Sequence, residues 1–215
     1  MIRRTISIFI LLWAVASFAF AQTKQISANE FYTANSNAQQ LMRERSWRTV
    51  MKTDTQDGTS VAKSISKIHE KLLPDRERFL VTEKIGDRET RSEYIRIGFM
   101  EYRRENNEPW ISKDLRGTGS GSGSGMGNGA GCSCVQYTEE SDAVEGVSAR
   151  RLRQLSIEKN SDGLSFDDMS VWLDQNGLFL KTERVKGLLE PRVEKTRSVM
   201  TYEYDPKITI EAPIK

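Results

Sequence analysis

Turn residues divide most of this chain into short pieces. After Ser46, the sequence is interrupted by Asp57-Gly58, Pro74-Asp75, Gly86-Asp87, Gly98, residues 105–108, residues 160–163 and Gln175-Asn176-Gly177. Long helices do not survive such punctuation, because glycine loosens the helical backbone and proline removes a donor from it. Strands need only about 5–6 residues each. Between the turns stand SWRTVMKTDT, ERFLVTEKI, TRSEYIRI, FMEYRR, EGVSARRLRQLSIEKN, MSVWLD, LFLKTERV and RVEKTRSVMTYEY, and KITIEAP reads as a closing strand. Apolar and charged residues are mixed within these arms, as expected of antiparallel strands with one wet face and one covered face. Residues 59–73 fit two templates: Val61, Ile65, Ile68 and Leu72 recur at helical spacing, while Ser and Lys alternate as in a strand. The Asp-Gly before and Pro-Asp after this run bracket a hairpin arm, so a strand is expected.

One helix precedes the strands. Ser27-Ala28-Asn29-Glu30 has capping-box spacing, and Phe31, Ala34, Ala38, Leu41 and Met42 make one apolar stripe, predicting a helix over 28–45. The expected class is mainly β (α+β), with a large, strongly curved antiparallel sheet. A single helix of this length cannot cover the inner face of such a sheet, which leaves a partly filled apolar concavity.

The first 21 residues, MIRRTISIFILLWAVASFAFA, have a positive start, an apolar run and small residues at Ala19 and Ala21. They read as a secretory signal peptide, followed by one domain over 22–215. Gln22 offers no cysteine for lipid attachment, so export to a Gram-negative-type periplasm as a soluble chain is expected. Of 32 Lys and Arg against 30 Asp and Glu, two arginines leave with the signal, and the remaining chain has no net charge. That balance argues against a nucleic-acid partner. No later run is apolar for long enough to form a transmembrane segment.

The order of these elements is similar to that of the LolA/LolB-like superfamily of periplasmic lipoprotein carriers. The residues concerned are the capped helix, the Trp47 strand, the arm ending at Pro74, ERFLV, EYIRIGFMEYRRENNEPW, VWLDQNGLFLKTE and YDPKITIEAPIK. The resemblance spans most of residues 28–215. It implies an open half-barrel with the N-terminal helix packed in its concave face, a lipid or acyl chain bound there, and no cofactor. Two departures stand out. Leu73 occupies the position where the carriers have an arginine that helps hold their lid closed, and residues 117–131 replace their lid helices.

Residues 117–134 read GTGSGSGSGMGNGAGCSC. A phosphate loop would need a Gly-Lys-Ser/Thr step into a helix, and calcium-binding repeats would need regular aspartates; neither is present. A flexible loop over 117–131 is expected, with a reach on the order of 20 Å, enough to cross the mouth of a half-barrel. Cys132 and Cys134 are expected to form a tight local disulfide or to bridge to another molecule. Together with Met126 their soft sulfur ligands would suit Cu(I), but no metal is assigned. Glu158, Asn160 and Asp162 mimic half of a calcium loop whose closing acid is replaced by Met169, leaving a hairpin turn.

No set of residues converges on catalysis. His69 has no nucleophile in a recognisable setting, and the acid pairs Glu139-Glu140 and Asp167-Asp168 fall in polar, loop-like stretches. Leu188-Leu189, between Gly187 and Pro191, reads as a turn and a candidate docking point. The candidates to line a ligand cleft are Trp47, Phe79, Val81, Ile95, Ile97, Trp110, Trp172, Phe179 and Tyr202, although aromatics on strands serve first as core. The expected function is non-enzymatic: a periplasmic carrier or receptor that reversibly binds a hydrophobic or acylated ligand. An envelope or outer-membrane protein is the second partner class. The rival reading is an interaction or sensor module whose cleft is filled by its own side chains.

Overall fold

The computed structural model describes residues 23–58, 60–116, 132–160, 163–190 and 194–214. The signal-peptide reading and the loop over 117–131 lie outside these residues. Ser27 caps helix α1 (Ala28–Arg43) with a full capping box: its hydroxyl accepts from the Glu30 N–H, and the Glu30 carboxylate accepts from the Ser27 N–H at 2.7 Å. Two of the four orphan donors of the first turn are thereby satisfied, as the spacing predicted.

Twelve strands make up the rest: β1 (Lys24–Gln25), β2 (Trp47–Asp57), β3 (Ser60–Leu72), β4 (Arg76–Ile85), β5 (Arg88–Ile97), β6 (Met100–Glu105), β7 (Ile111–Asp114), β8 (Cys132–Val144), β9 (Val147–Asn160), β10 (Gly163–Leu173), β11 (Phe179–Glu190) and β12 (Glu194–Tyr204). They form one antiparallel sheet in the order β1-β8-β9-β10-β11-β12-β2-β3-β4-β5-β6-β7. The ambiguous run after Gly58 is strand β3, paired along its length with β2 and β4. Two wings of consecutive hairpins are joined where β12 pairs with β2, from Glu194 opposite Asp57 to Tyr204 opposite Trp47. The end strands β1 and β7 are not joined to each other, so the curved sheet stays an open half-barrel.

The alternation of side chains gives the two faces different chemistry. On the concave face, Phe31 and Ala38 of α1 are fully buried against Leu152, Val171, Leu173 and Phe179 of β9, β10 and β11. On the convex face, Trp172 donates its indole N–H to Asp142 at 2.7 Å and lies between the cations of Arg151 and Lys181. In the other wing, Glu70 is buried on the convex face between Arg48 at 2.7 Å and Arg78 at 2.6 Å. Nearby, Arg76 donates to the Ile210 carbonyl at 2.9 Å, and Ile210 and Ile95 are both buried.

Several sequence expectations are corrected here. Residues 205–214 are not a strand; they follow β12 as an irregular segment tied down through Asp205 N–H to the Ser46 carbonyl and through Arg76. Glu139-Glu140 and Asp167-Asp168 are strand residues of β8 and β10, and they pair across strands with Arg150, Arg151, Arg184 and Arg153. Their polarity mimicked a loop because the charges that match them sit on the neighbouring strand, outside a local window of sequence. For the same reason β8 was not expected at all. Leu188 belongs to β11, opposite Ser165 and Glu194, rather than to a turn.

Candidate functional site: a methionine- and aromatic-lined cleft

Helix α1 packs against the β8–β11 wing and leaves the concave face uncovered from β12 to β5. The uncovered part begins at the helix edge formed by Asn35, Gln39 and Met42, which fall on one side of the helix at i, i+4 and i+7. A cleft of about 420 Å³ lies between this edge and the sheet, within the ~300–1,000 Å³ range of small-ligand sites. Its floor is laid down by strand alternation: Trp47, Thr49 and Met51 from β2, Lys67 and His69 from β3, Phe79 and Val81 from β4, Met200 and Tyr202 from β12. Met169, Phe179 and Thr182 complete the side towards the helix. The register explains the grouping, since Lys67 stands between Met51 and Val81, and His69 between Thr49 and Phe79.

An aromatic run forms one end of the cleft. Trp47 meets His69 edge-on with ring centroids 4.4 Å apart, His69 stacks on Phe79 at 3.6 Å, and Phe79 meets Tyr94 edge-on at 5.5 Å. On the other side Tyr202 stacks on Phe179 at 5.1 Å. Burial, with Lys71 and Arg96 nearby, depresses the His69 pKa to about 4, so the imidazole is neutral at pH 7. Its Nε2 is buried with no hydrogen-bond partner among the described residues. Burial raises the Tyr202 phenol as well. The four methionines supply unbranched, polarizable side chains that repack around different shapes at little cost. Such a lining can accept a flexible apolar chain without fixing its conformation.

Of the nine sequence candidates, Trp47, Phe79, Val81, Phe179 and Tyr202 line this cleft. Ile95 and Ile97 do not: Phe79 is registered opposite Tyr94, so Ile95 and Ile97 point to the convex face. Trp172 is on the convex face too, and Trp110 is covered by the Arg104 guanidinium, on the face opposite Arg103 and Tyr94. The sequence reading passed over Met51, Met169, Met200, Lys67 and His69. Part of the signal was present, because stepping by two residues from Trp47 reaches Thr49 and Met51, and stepping back from Tyr202 reaches Met200. Cys134 is an exposed free thiol in β8, and the Cys132 side chain lies outside the described residues.

Beyond the methionine row the concave face turns polar. A second depression of about 480 Å³ is lined by residues that include Gln154, Ser156, Asp167, Lys186 and Thr196. Between the two, Thr53 and Ser198 share a hydrogen bond at 2.9 Å, and Thr55 and Thr196 one at 3.3 Å. No group of acids, histidines and cysteines able to hold a metal ion occurs among the described residues. No helix among them is long and apolar enough to cross a membrane.

No protein-family model matches the chain. No curated protein matches it either. Among solved structures, LprF from Mycobacterium bovis is similar with a TM-score of 0.45 and 11% identity, over 88% of this chain and 99% of that one. A LolA superfamily protein from Nitrosomonas europaea is similar with a TM-score of 0.28 and 11% identity, over 79% of this chain and 91% of its own.

Proposed function

We propose that this protein reversibly binds a lipid or acylated ligand in the concave cleft, acting as a carrier or receptor rather than as an enzyme. One observation carries the reading: the only helix among the described residues covers the β8–β11 wing and leaves a methionine- and aromatic-lined cleft of about 420 Å³ open beside it. Each methylene transferred from water into such a lining contributes about 0.8 kcal/mol, so a chain of modest length can be held and still released. The carboxylate pairs Glu139-Glu140 and Asp167-Asp168 are engaged in cross-strand ion pairs, which favours a binding role over a catalytic one. Work in an exported compartment, on ligands passing between envelope membranes, fits the leader-like sequence of residues 1–21.

The test is direct. The protein is purified without detergent, extracted with organic solvent and its extract measured by mass spectrometry. Near-stoichiometric acyl-bearing species are expected. An empty extract, together with no uptake of added lipid, would refute the reading and favour an interaction module.

A further inference from the structure

Several charged side chains on the concave face are paired. Lys63 reaches Glu83 at 2.5 Å, Arg96 reaches Glu77 at 2.9 Å, and Arg184 pairs with Asp167. Lys67 is different. Like Lys71 and Arg103 on the same face it forms no ion pair or hydrogen bond among the described residues, but of these three it alone lines the apolar cleft. Its direct neighbours on this face carry no negative charge: Met51 and Val81 flank it across the strands, Ile65 and His69 stand two residues away along β3, and the acid on the diagonal, Glu83, is held by Lys63. An exposed lysine above an apolar floor lays its methylene stem along that floor and holds its ammonium at the mouth. Two residues on, the buried Nε2 of His69 also has no hydrogen-bond partner among the described residues. The cleft therefore offers an apolar bed with an unmatched cation and an unmatched polar nitrogen on the same strand.

On that basis, and resting on the cleft reading above, we propose that the ligand is an anionic amphiphile. Its chain lies over Met51, Met200 and Phe79, and its acidic group, a carboxylate or a phosphate, is received by Lys67. A neutral or cationic head would leave the ammonium unmatched or repelled, so charge complementarity selects among chains that the floor alone would accept equally.

The experiment titrates the protein, below the micelle concentration of each probe, with dodecanoate, dodecyl phosphate and dodecanol, following tryptophan fluorescence or heat. Either anion is expected to bind about tenfold more tightly than dodecanol, a difference of about 1.4 kcal/mol. The order of the two anions identifies the head group. Raising the salt should narrow the gap, since the contact sits at the solvent edge. In Lys67→Met the ratio of anion to alcohol affinity should fall to about one, whereas Lys67→Arg should retain most of it. Equal affinity of all three probes for the wild type, or a ratio unchanged in Lys67→Met, overturns the anionic assignment and leaves the apolar cleft standing. Failure of every probe to bind the wild type overturns both.

Discussion

His69 shows how one side chain takes its properties from its neighbours. In the sequence it is a lone histidine among serines and lysines; in the fold it is pressed between Trp47 and Phe79. Taking an imidazolium out of water is unfavourable, and Lys71 and Arg96 add repulsion that Glu70 only partly offsets, which brings the pKa to about 4. The linkage has a definite sign. The unfolded chain protonates His69 near its ordinary 6.5, while the folded chain resists down to about 4. The stabilisation from the neutral imidazole is therefore complete above pH 6.5 and is lost as pH falls from 6.5 to 4. Urea unfolding at pH 7 and pH 4.5 should show a larger loss for the wild type than for His69→Phe. Carboxylates held below their usual range, such as Asp54 and Asp142, also cost stability in acid, but they do so in both proteins. Equal losses would show that His69 is not a buried neutral group.

At the scale of elements, α1 divides the concave face into a core and a site. Its position is set at two points. The capping box fixes where it starts, and Phe31, fully buried, edge-on to Tyr32 and tilted against Tyr137, fixes which side meets the sheet. Near its other end Leu41 approaches the β10–β11 hairpin at Gly177, where φ is +81° and an added Cβ would lie 3.7 Å from the leucine. Ser27→Ala should cost about 1 kcal/mol, the usual value of an N-cap. Phe31→Ala should cost about 3–5 kcal/mol, because it leaves a cavity under the helix. Both are read from the urea midpoint. Phe31→Ala should also raise the fluorescence of a hydrophobic dye, since a loosened helix uncovers Val171 and Leu173. Two near-neutral variants would mean that α1 is not held as described.

For the molecule as a whole, the two faces of one sheet carry separate duties. The concave face holds the helix and the cleft. The convex face is closed by ion pairs and, where Arg76 holds the Ile210 carbonyl, by the segment that follows β12. Ile210→Ala should therefore lower stability by about 2–4 kcal/mol, as for other fully buried aliphatics, with an unchanged m-value. It should leave the binding of dodecanoate as in the wild type, because the substitution lies on the other side of the sheet. A parallel loss of binding and stability would show that the closing segment also shapes the cleft.

What the sequence by itself determined is what depends on near neighbours. The cap at Ser27, the glycine and proline turns, the β-rich class and the presence of one long helix all follow from contacts within a few residues. Five of the nine cleft candidates were legible because large aromatic and aliphatic residues have few places to go in a curved sheet. The tertiary structure alone decided which face each strand residue takes, since shifting a strand's register by one residue exchanges its faces. That is why Ile95 points away from the cleft while Tyr94 beside it faces the concave side, and why the acids of β8 and β10 are strand residues matched to arginines across the ladder. It also decided the pairing of β12 with β2, which brings Met200 beside Met51 although 148 residues separate them, and so builds the floor of the cleft. Such contacts leave no local mark on the chain: each methionine reads alone as a core residue, and only their meeting on the uncovered part of one face makes a site.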